Sequence, residues 1–174
     1  MDELNALPIQ HARALLTACC GAPDWVQGML ATRPWRDPKG VFAAADRTWE
    51  SLTLEQRLAA IAHHPRLGAS AAAVPLDERA RRWSAGEQRG AASADTDTRS
   101  ALAQGNADYE RRFGHTFILC AKGLSAEDML RSLTERLAHD PETERTNTAR
   151  ELHRITRLRL EELLAGDAAR EEAP

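Results

Sequence analysis

The sequence predicts an all-α fold: a single-domain bundle of about eight helices with short irregular connections. Three observations carry this. Apolar residues recur at intervals of three and four through almost every segment, which is the period of a helix surface and not of a strand. Helix-start signals punctuate the chain: Thr53-Leu54-Glu55-Gln56 and Ser84-Ala85-Gly86-Glu87 read as capping boxes, and Ser125-Ala126-Glu127-Asp128 starts another helix. At 174 residues the chain fits one domain and is long enough for a real core. No internal repeat, low-complexity segment or linker divides it. The expected domain is 1–166, followed by an acidic tail over 167–174.

The elements follow in order. Ile9, Ala12, Leu16 and Cys19 share one helical face, with Pro8 at its start and Gly21 at its end. Pro23 opens a helix carrying Trp25, Met29 and Leu30. Arg33-Pro34-Trp35 breaks it, because proline lacks a donor and clashes with the preceding turn. Phe42, Ala45 and Trp49 mark a third face. The capping box at Thr53 starts a helix with Leu54, Leu58 and Ile61 aligned, and this helix runs into His63-His64-Pro65. Residues 69–75 are rich in small side chains and read as a connection, with a short helix over 76–82. The box at Ser84 is expected to open a long polar helical region, broken near 93–97 and resuming toward Phe113. There Leu102, Asn106, Tyr109 and Phe113 share a face. The Asn106 amide needs partners if buried, and bracing a loop is the favoured role. Gly114 ends that helix. Phe117-Ile118-Leu119-Cys120 is short, apolar and β-like, either a buried connector or backbone facing a pocket. Met129, Leu130, Leu133 and Leu137 face inward on the next helix. Asp140-Pro141 caps and starts the last one, which Gly166 is expected to end.

Composition excludes several classes. A formal charge of −3 and a pI near 6.1 argue against a nucleic-acid partner, since phosphate binding needs a basic excess. Three cysteines, an odd number, do not make a disulfide framework and point to a reducing, cytoplasmic setting. No Cys/His cluster has zinc-ligand spacing. The N-terminus lacks the basic and apolar regions of a signal peptide, and no apolar run is long enough to span a membrane.

Two places carry chemistry. His63-His64-Pro65-Arg66-Leu67-Gly68 sets imidazoles at a helix end, where proline holds the preceding residue out of the α conformation. Histidine is the side chain best suited to proton transfer near neutral pH. The second place is Arg159. At about 100° per residue, Leu152, Ile155, Arg159 and Leu163 fall in one narrow stripe, while Arg157 points away from it. A guanidinium facing a core requires an anion or carbonyl partner, which is either a structural ion pair or a ligand. Glu87 has two readings, a capping residue or a ligand contact. Cys120 reads more as a small buried hydrophobe than as a nucleophile.

Together these motifs resemble the 2-oxo-4-hydroxy-4-carboxy-5-ureidoimidazoline (OHCU) decarboxylases. The resemblance runs through Cys19-Cys20-Gly21, Trp25 and Arg33-Pro34, then His64-Pro65-Arg66-Leu67-Gly68 and Ser84-x-x-Glu87-Gln88. It continues in Asn106-x-x-Tyr109, Phe113-Gly114-His115-x-Phe117-Ile118 and Cys120-Ala121-Lys122-Gly123, and closes with Glu151-Leu152, Ile155 and Leu158-Arg159-Leu160. Each piece is weak alone; the order and spacing are specific. Trp35 and His115 depart mildly from the family pattern, and the stretch past Leu164 has no family motif.

The resemblance implies a cofactor-independent, metal-free carboxy-lyase that converts OHCU to (S)-allantoin, the last step from urate to allantoin. It implies His64, Glu87 and Arg159 as catalytic residues. Substrate would also meet Pro65, Ser84, Gln88, Ile118, Leu119, Cys120, Ala121 and Lys122. A homodimer is implied, with no nucleic-acid or membrane partner. The competing readings are a helical regulatory or interaction module, and a same-fold enzyme acting on a related ureido compound.

Overall fold

The computed structural model describes residues 1–68 and 78–171, with side chains described through residue 166. The expected connection at 69–75 and the first residues of the helix at 76–82 therefore lie outside the described residues, as do residues 172–174 of the tail. Among the described residues there are ten α-helices and one 3-10 turn, with no strand. The all-α expectation holds. The chain forms two compact units, one of residues 1–60 with 153–174 and one of residues 61–152.

The first unit contains α1 (Asp2–Ala6), α2 (Ile9–Cys19), α3 (Pro23–Ala31), α4 (Pro38–Ser51), α5 (Leu54–Leu58) and the later part of α10 (Pro141–Glu171). The short helix α1 was not anticipated. Its last carbonyls are held by Arg33, whose guanidinium donates to the oxygens of Leu4, Asn5 and Leu7. Asn5 completes the joint: its side chain donates to the Trp35 carbonyl at 2.7 Å and accepts from the Trp35 amide at 2.9 Å. A five-residue helix is too short to stand alone, so these tertiary bonds are what hold it.

Pro23 sits in the first turn of α3 and Asp37 caps α4, its carboxylate accepting from the Gly40 amide. The capping box at Thr53 forms as expected. Trp25 is fully buried and its indole N–H donates to the Ala45 carbonyl at 3.2 Å. At Gly28 the helices α3 and α4 approach so closely that a Cβ would lie 2.4 Å from Thr48 Cγ2.

The second unit contains the end of the 3-10 turn Ala59–His63, α6 (Glu78–Glu87), α7 (Arg89–Ala92), α8 (Thr96–Phe113), α9 (Ala126–Leu137) and the first turns of α10. Its core gathers Leu67, Leu102, Tyr109, Phe117, Met129 and Leu133. Asp95 caps α8, Ser125 and Asp128 form a capping box on α9, and Asp140 caps α10. Gly114 ends α8 in the left-handed region at φ 75°, which glycine adopts without a Cβ clash.

Two local expectations, at Ser84 and Gly166, are corrected, and a third is decided between its alternatives. Ser84 does not start a helix. It lies inside α6, buried at 2% exposure, and Glu87 is the last residue of that helix. Ser84 falls four residues after the buried Ala80, so it occupies the inward stripe, where a small hydroxyl side chain fits; the S-x-x-E spacing also fits within a helix interior. Residues 117–120 form neither helix nor strand, and with Phe117 and Ile118 buried the segment agrees with the buried-connector reading. Gly166 does not end α10, which continues to Glu171, because a single glycine costs a helix only about 1 kcal/mol.

Candidate functional site

His64 follows directly on the 3-10 turn. Its amide donates to the Ile61 carbonyl at 3.0 Å and the residue is 8% exposed. Pro65 is also buried. The neighbouring His63 is half-buried, with Nδ1 enclosed and unsatisfied within the described structure.

The loop that carries His64 is pinned by three side chains. Arg66 makes a two-point ion pair with Glu110, its Nε at 2.8 Å from the carboxylate. The Leu67 carbonyl accepts from Asn106 Nδ2 at 3.1 Å, and the same amide nitrogen donates to Leu102 O at 2.8 Å. The Gly68 amide donates to Gln88 Oε1 at 2.9 Å. Gly68 itself is left-handed at φ 77°. Asn106 therefore braces a loop, as its place on an apolar face predicted. Gln88 immediately follows Glu87, so the same corner that presents Glu87 also grips the His64 loop. Ser84, Glu87 and Gln88 come from one stretch of the second unit together with His64.

The segment Ile118, Leu119, Cys120, Ala121 and Lys122 belongs to the same unit. Cys120 is half-buried and its amide donates to Glu151 Oε2 at 2.9 Å. That amide is committed to a protein carboxylate. Arg136 NH1 donates to the Ile118 carbonyl at 2.7 Å. Arg136 also bonds Glu144 through Nε at 2.8 Å and Thr148 through NH2 at 3.1 Å, and its guanidinium lies over the Phe117 ring. Glu144 is wholly buried and accepts further bonds from Tyr109 and His139. Burial alone would raise its carboxyl pKa, but the bonds from Arg136, Tyr109 and His139 outweigh it and hold the carboxyl below its ordinary value. Burial and the Glu144 carboxylate push the Tyr109 phenol well above its ordinary value.

Arg159 lies in the first unit, 2% exposed, on a stripe with Leu152, Ile155 and Leu163, all buried. Its NH1 donates to the Ala18 carbonyl at 3.2 Å. Ala18 is in the last turn of α2, whose carbonyls have no partner within the helix, so a cation there meets the negative end of the helix dipole. This bond occupies one of the guanidinium's five N–H donors. Arg157 points elsewhere, as the wheel predicted, and pairs with Asp46.

Arg136, Glu144 and Glu151 had no assigned role in the sequence reading. The test that found Arg159 would have found Arg136, because Met129, Leu133 and Arg136 fall at intervals of four and three on one face of α9. Among the described residues no His, Cys, Asp and Glu cluster is arranged to hold a metal. No described helix is long and apolar enough to cross a membrane.

The comparisons agree with this architecture. Residues 5–161 match the family model described as OHCU decarboxylase. The chain is 28% identical over 150 residues to the uric acid degradation bifunctional protein TTL of Arabidopsis thaliana, covering 86% of this chain and 46% of that protein. It is 40% identical over 89 residues to the 2-oxo-4-hydroxy-4-carboxy-5-ureidoimidazoline decarboxylase of Mus musculus, 50% of each chain. The chain spans half or less of the length of these curated relatives. Its fold is similar to a crystal structure of OHCU decarboxylase in the presence of (S)-allantoin, with a TM-score of 0.71, 25% identity, and coverage of 86% of this chain and 96% of that one. The chain belongs to the OHCU decarboxylase family.

Proposed function

We propose that the protein is a carboxy-lyase that decarboxylates OHCU to (S)-allantoin without a cofactor, as the closing step from urate to allantoin. The observation that carries this reading is the match of 86% of the chain to a decarboxylase structure obtained with (S)-allantoin, over a fold that buries His64 at a helix end in a loop held by three side chains.

In this reading Glu87 and His64 orient the substrate and manage its hydroxyl proton. The bond between the hydroxyl-bearing ring carbon and the carboxylate breaks, carbon dioxide leaves, and the electron pair forms an enol with the neighbouring ureido-bearing carbon as the ring C=N electrons pass to nitrogen and on toward the ring carbonyl. Arg159 and backbone N–H groups stabilise that developing negative charge. The hydroxyl gives up its proton as its carbon becomes a carbonyl, and His64, as imidazolium, delivers a proton to one face of the neighbouring ureido-bearing carbon, which sets the (S) configuration. Pro65, Ser84, Gln88 and the segment Ile118, Leu119, Cys120, Ala121 and Lys122 shape the substrate's surroundings. The Cys120 amide is bonded to Glu151, so that residue's contribution comes through its carbonyl or thiol.

The reading also takes residues 1–166 as the family domain with 167–174 as a tail, and the protein as a cytoplasmic homodimer. The three free cysteines are consistent with a reducing compartment. Light scattering on a sizing column tests the dimer.

The unstable substrate is best made in situ from urate by the two preceding enzymes, while the optical signal of (S)-allantoin is followed. Rapid one-handed product supports the function. Decay to racemate at the rate seen without the protein refutes it.

A further inference from the structure

We propose that Arg136, locked by Glu144, is a positioning residue that sets the course of the segment carrying Ile118, Leu119, Cys120, Ala121 and Lys122. The inference rests on the proposed function, which places substrate against that segment. The stretch from Phe117 to Ala121 has neither helix nor strand bonds of its own to fix its course, and no strand lies beside it among the described residues. Two charged side chains do the holding instead. Arg136 fixes the Ile118 carbonyl at 2.7 Å, and Glu151 fixes the Cys120 amide at 2.9 Å, so Leu119 is gripped on both sides.

The guanidinium has little freedom of its own. Nε meets Glu144 at 2.8 Å, NH2 meets Thr148 at 3.1 Å, and one face covers Phe117 with 4.7 Å to the ring centroid. Glu144 is anchored in turn by the Tyr109 hydroxyl from α8 and by His139 Nδ1 at 2.9 Å. The Arg136 and Glu144 side chains are 10% and 0% exposed. A buried ion pair of this kind is poor value as a source of stability, since apolar side chains of similar volume serve as well or better. Its distinctive effect is direction: a planar fork clamped on one side aims its remaining donor at a single carbonyl. Binding groups held in this way keep productive geometry, and small displacements are costly to function.

The test is the double variant Arg136→Met/Glu144→Gln, which removes both charges together so that neither is left buried alone. Two measurements are made, substrate and product affinity alongside turnover, and amide hydrogen exchange. The expected result is a KM and an (S)-allantoin Kd raised about tenfold or more, with kcat within about threefold. Exchange in a 117–122 peptide should quicken about tenfold, while a 127–133 peptide from α9 stays within about twofold. Unchanged affinity and unchanged exchange at 117–122 would overturn the proposal, as would equal quickening in both peptides, which marks general loosening. If the double variant does not fold, Arg136→Lys takes its place; it keeps the charge but loses the fork, and the same pattern is expected at smaller size. Wild-type turnover tests the decarboxylase reading separately. The exchange measurement needs no substrate, so it decides the role of Arg136 whichever way turnover falls.

Discussion

The Asn106 side chain donates to the Leu67 carbonyl at 3.1 Å, tying the middle of α8 to the loop three residues beyond His64. It makes α8 the frame on which the imidazole's loop is mounted, with Glu110 one turn further along holding Arg66. Replacing Asn106 by Leu keeps the volume but leaves the Leu67 carbonyl without this donor. A loss of about 1–3 kcal/mol is expected, or a Tm lower by about 2–4 °C per kcal/mol at this chain length. Turnover below the transition should fall as well. Thermal unfolding with parallel assays checks both; an unchanged Tm would show that the brace is dispensable.

His64→Asn removes the proton-transfer group and keeps a polar side chain of similar reach. Turnover should fall at least about 100-fold, with little change in folding. Wild-type turnover in a folded variant would remove His64 from the mechanism.

Glu87 ends α6, where a carboxylate faces the negative end of the helix dipole and so gains nothing from that helix. Glu87→Gln should therefore alter stability by no more than about 0.5 kcal/mol while reducing turnover. The reverse pattern, lost stability with full turnover per folded molecule, would make Glu87 structural.

Acid should weaken the first unit through His153 and Asp46. His153 stacks on Trp49 with centroids 5.2 Å apart, and its Nε2 is 3.0 Å from Asp46. Burial lowers its pKa below the ordinary 6.5 despite the nearby carboxylate. The unfolded chain then takes up that proton more readily than the folded one, so stability falls as pH drops below about 6.5. Asp46 is also lowered from 3.8: burial opposes this, and the Arg157 and His153 bonds prevail. Its contribution is present above the ordinary carboxyl value and is lost as pH falls through the folded one. His153→Phe keeps the stack and removes the titration. Between pH 7.5 and 5.5 it should lose less stability than wild type in urea melts, and parallel losses would assign the titration elsewhere.

Arg136→Met alone strands the Glu144 carboxylate in the interior and should cost about 3–5 kcal/mol. Adding Glu144→Gln should recover part of that loss. A double variant as unstable as the sum of the two singles would mean that the two side chains do not act as a pair.

Much of the helical order was legible because it is local. Capping at Thr53 and Ser125, the stop at Gly114 and the inward face of Arg159 depend on residues within a turn or two, and each formed as read. Asn106 was legible for the same reason: an amide among Leu102, Tyr109 and Phe113 has to find partners. Ser84 misled because a capping spacing is also a helix-interior spacing, and only packing decides between them.

The sequence by itself determined that the chain is helical, which faces of those helices turn inward, and that His64, Asn106 and Arg159 stand where an ordinary surface or core residue would not. Tertiary structure alone decided what those groups meet. Gln88 reaches Gly68 across 20 residues, Arg66 reaches Glu110 across 44, and Arg159 reaches Ala18 across 141. Periodicity reports which way a side chain faces and says nothing of the partner on the far side. That partner is chosen when buried polar groups, which are costly to leave unsatisfied, are brought together by the packing of the core.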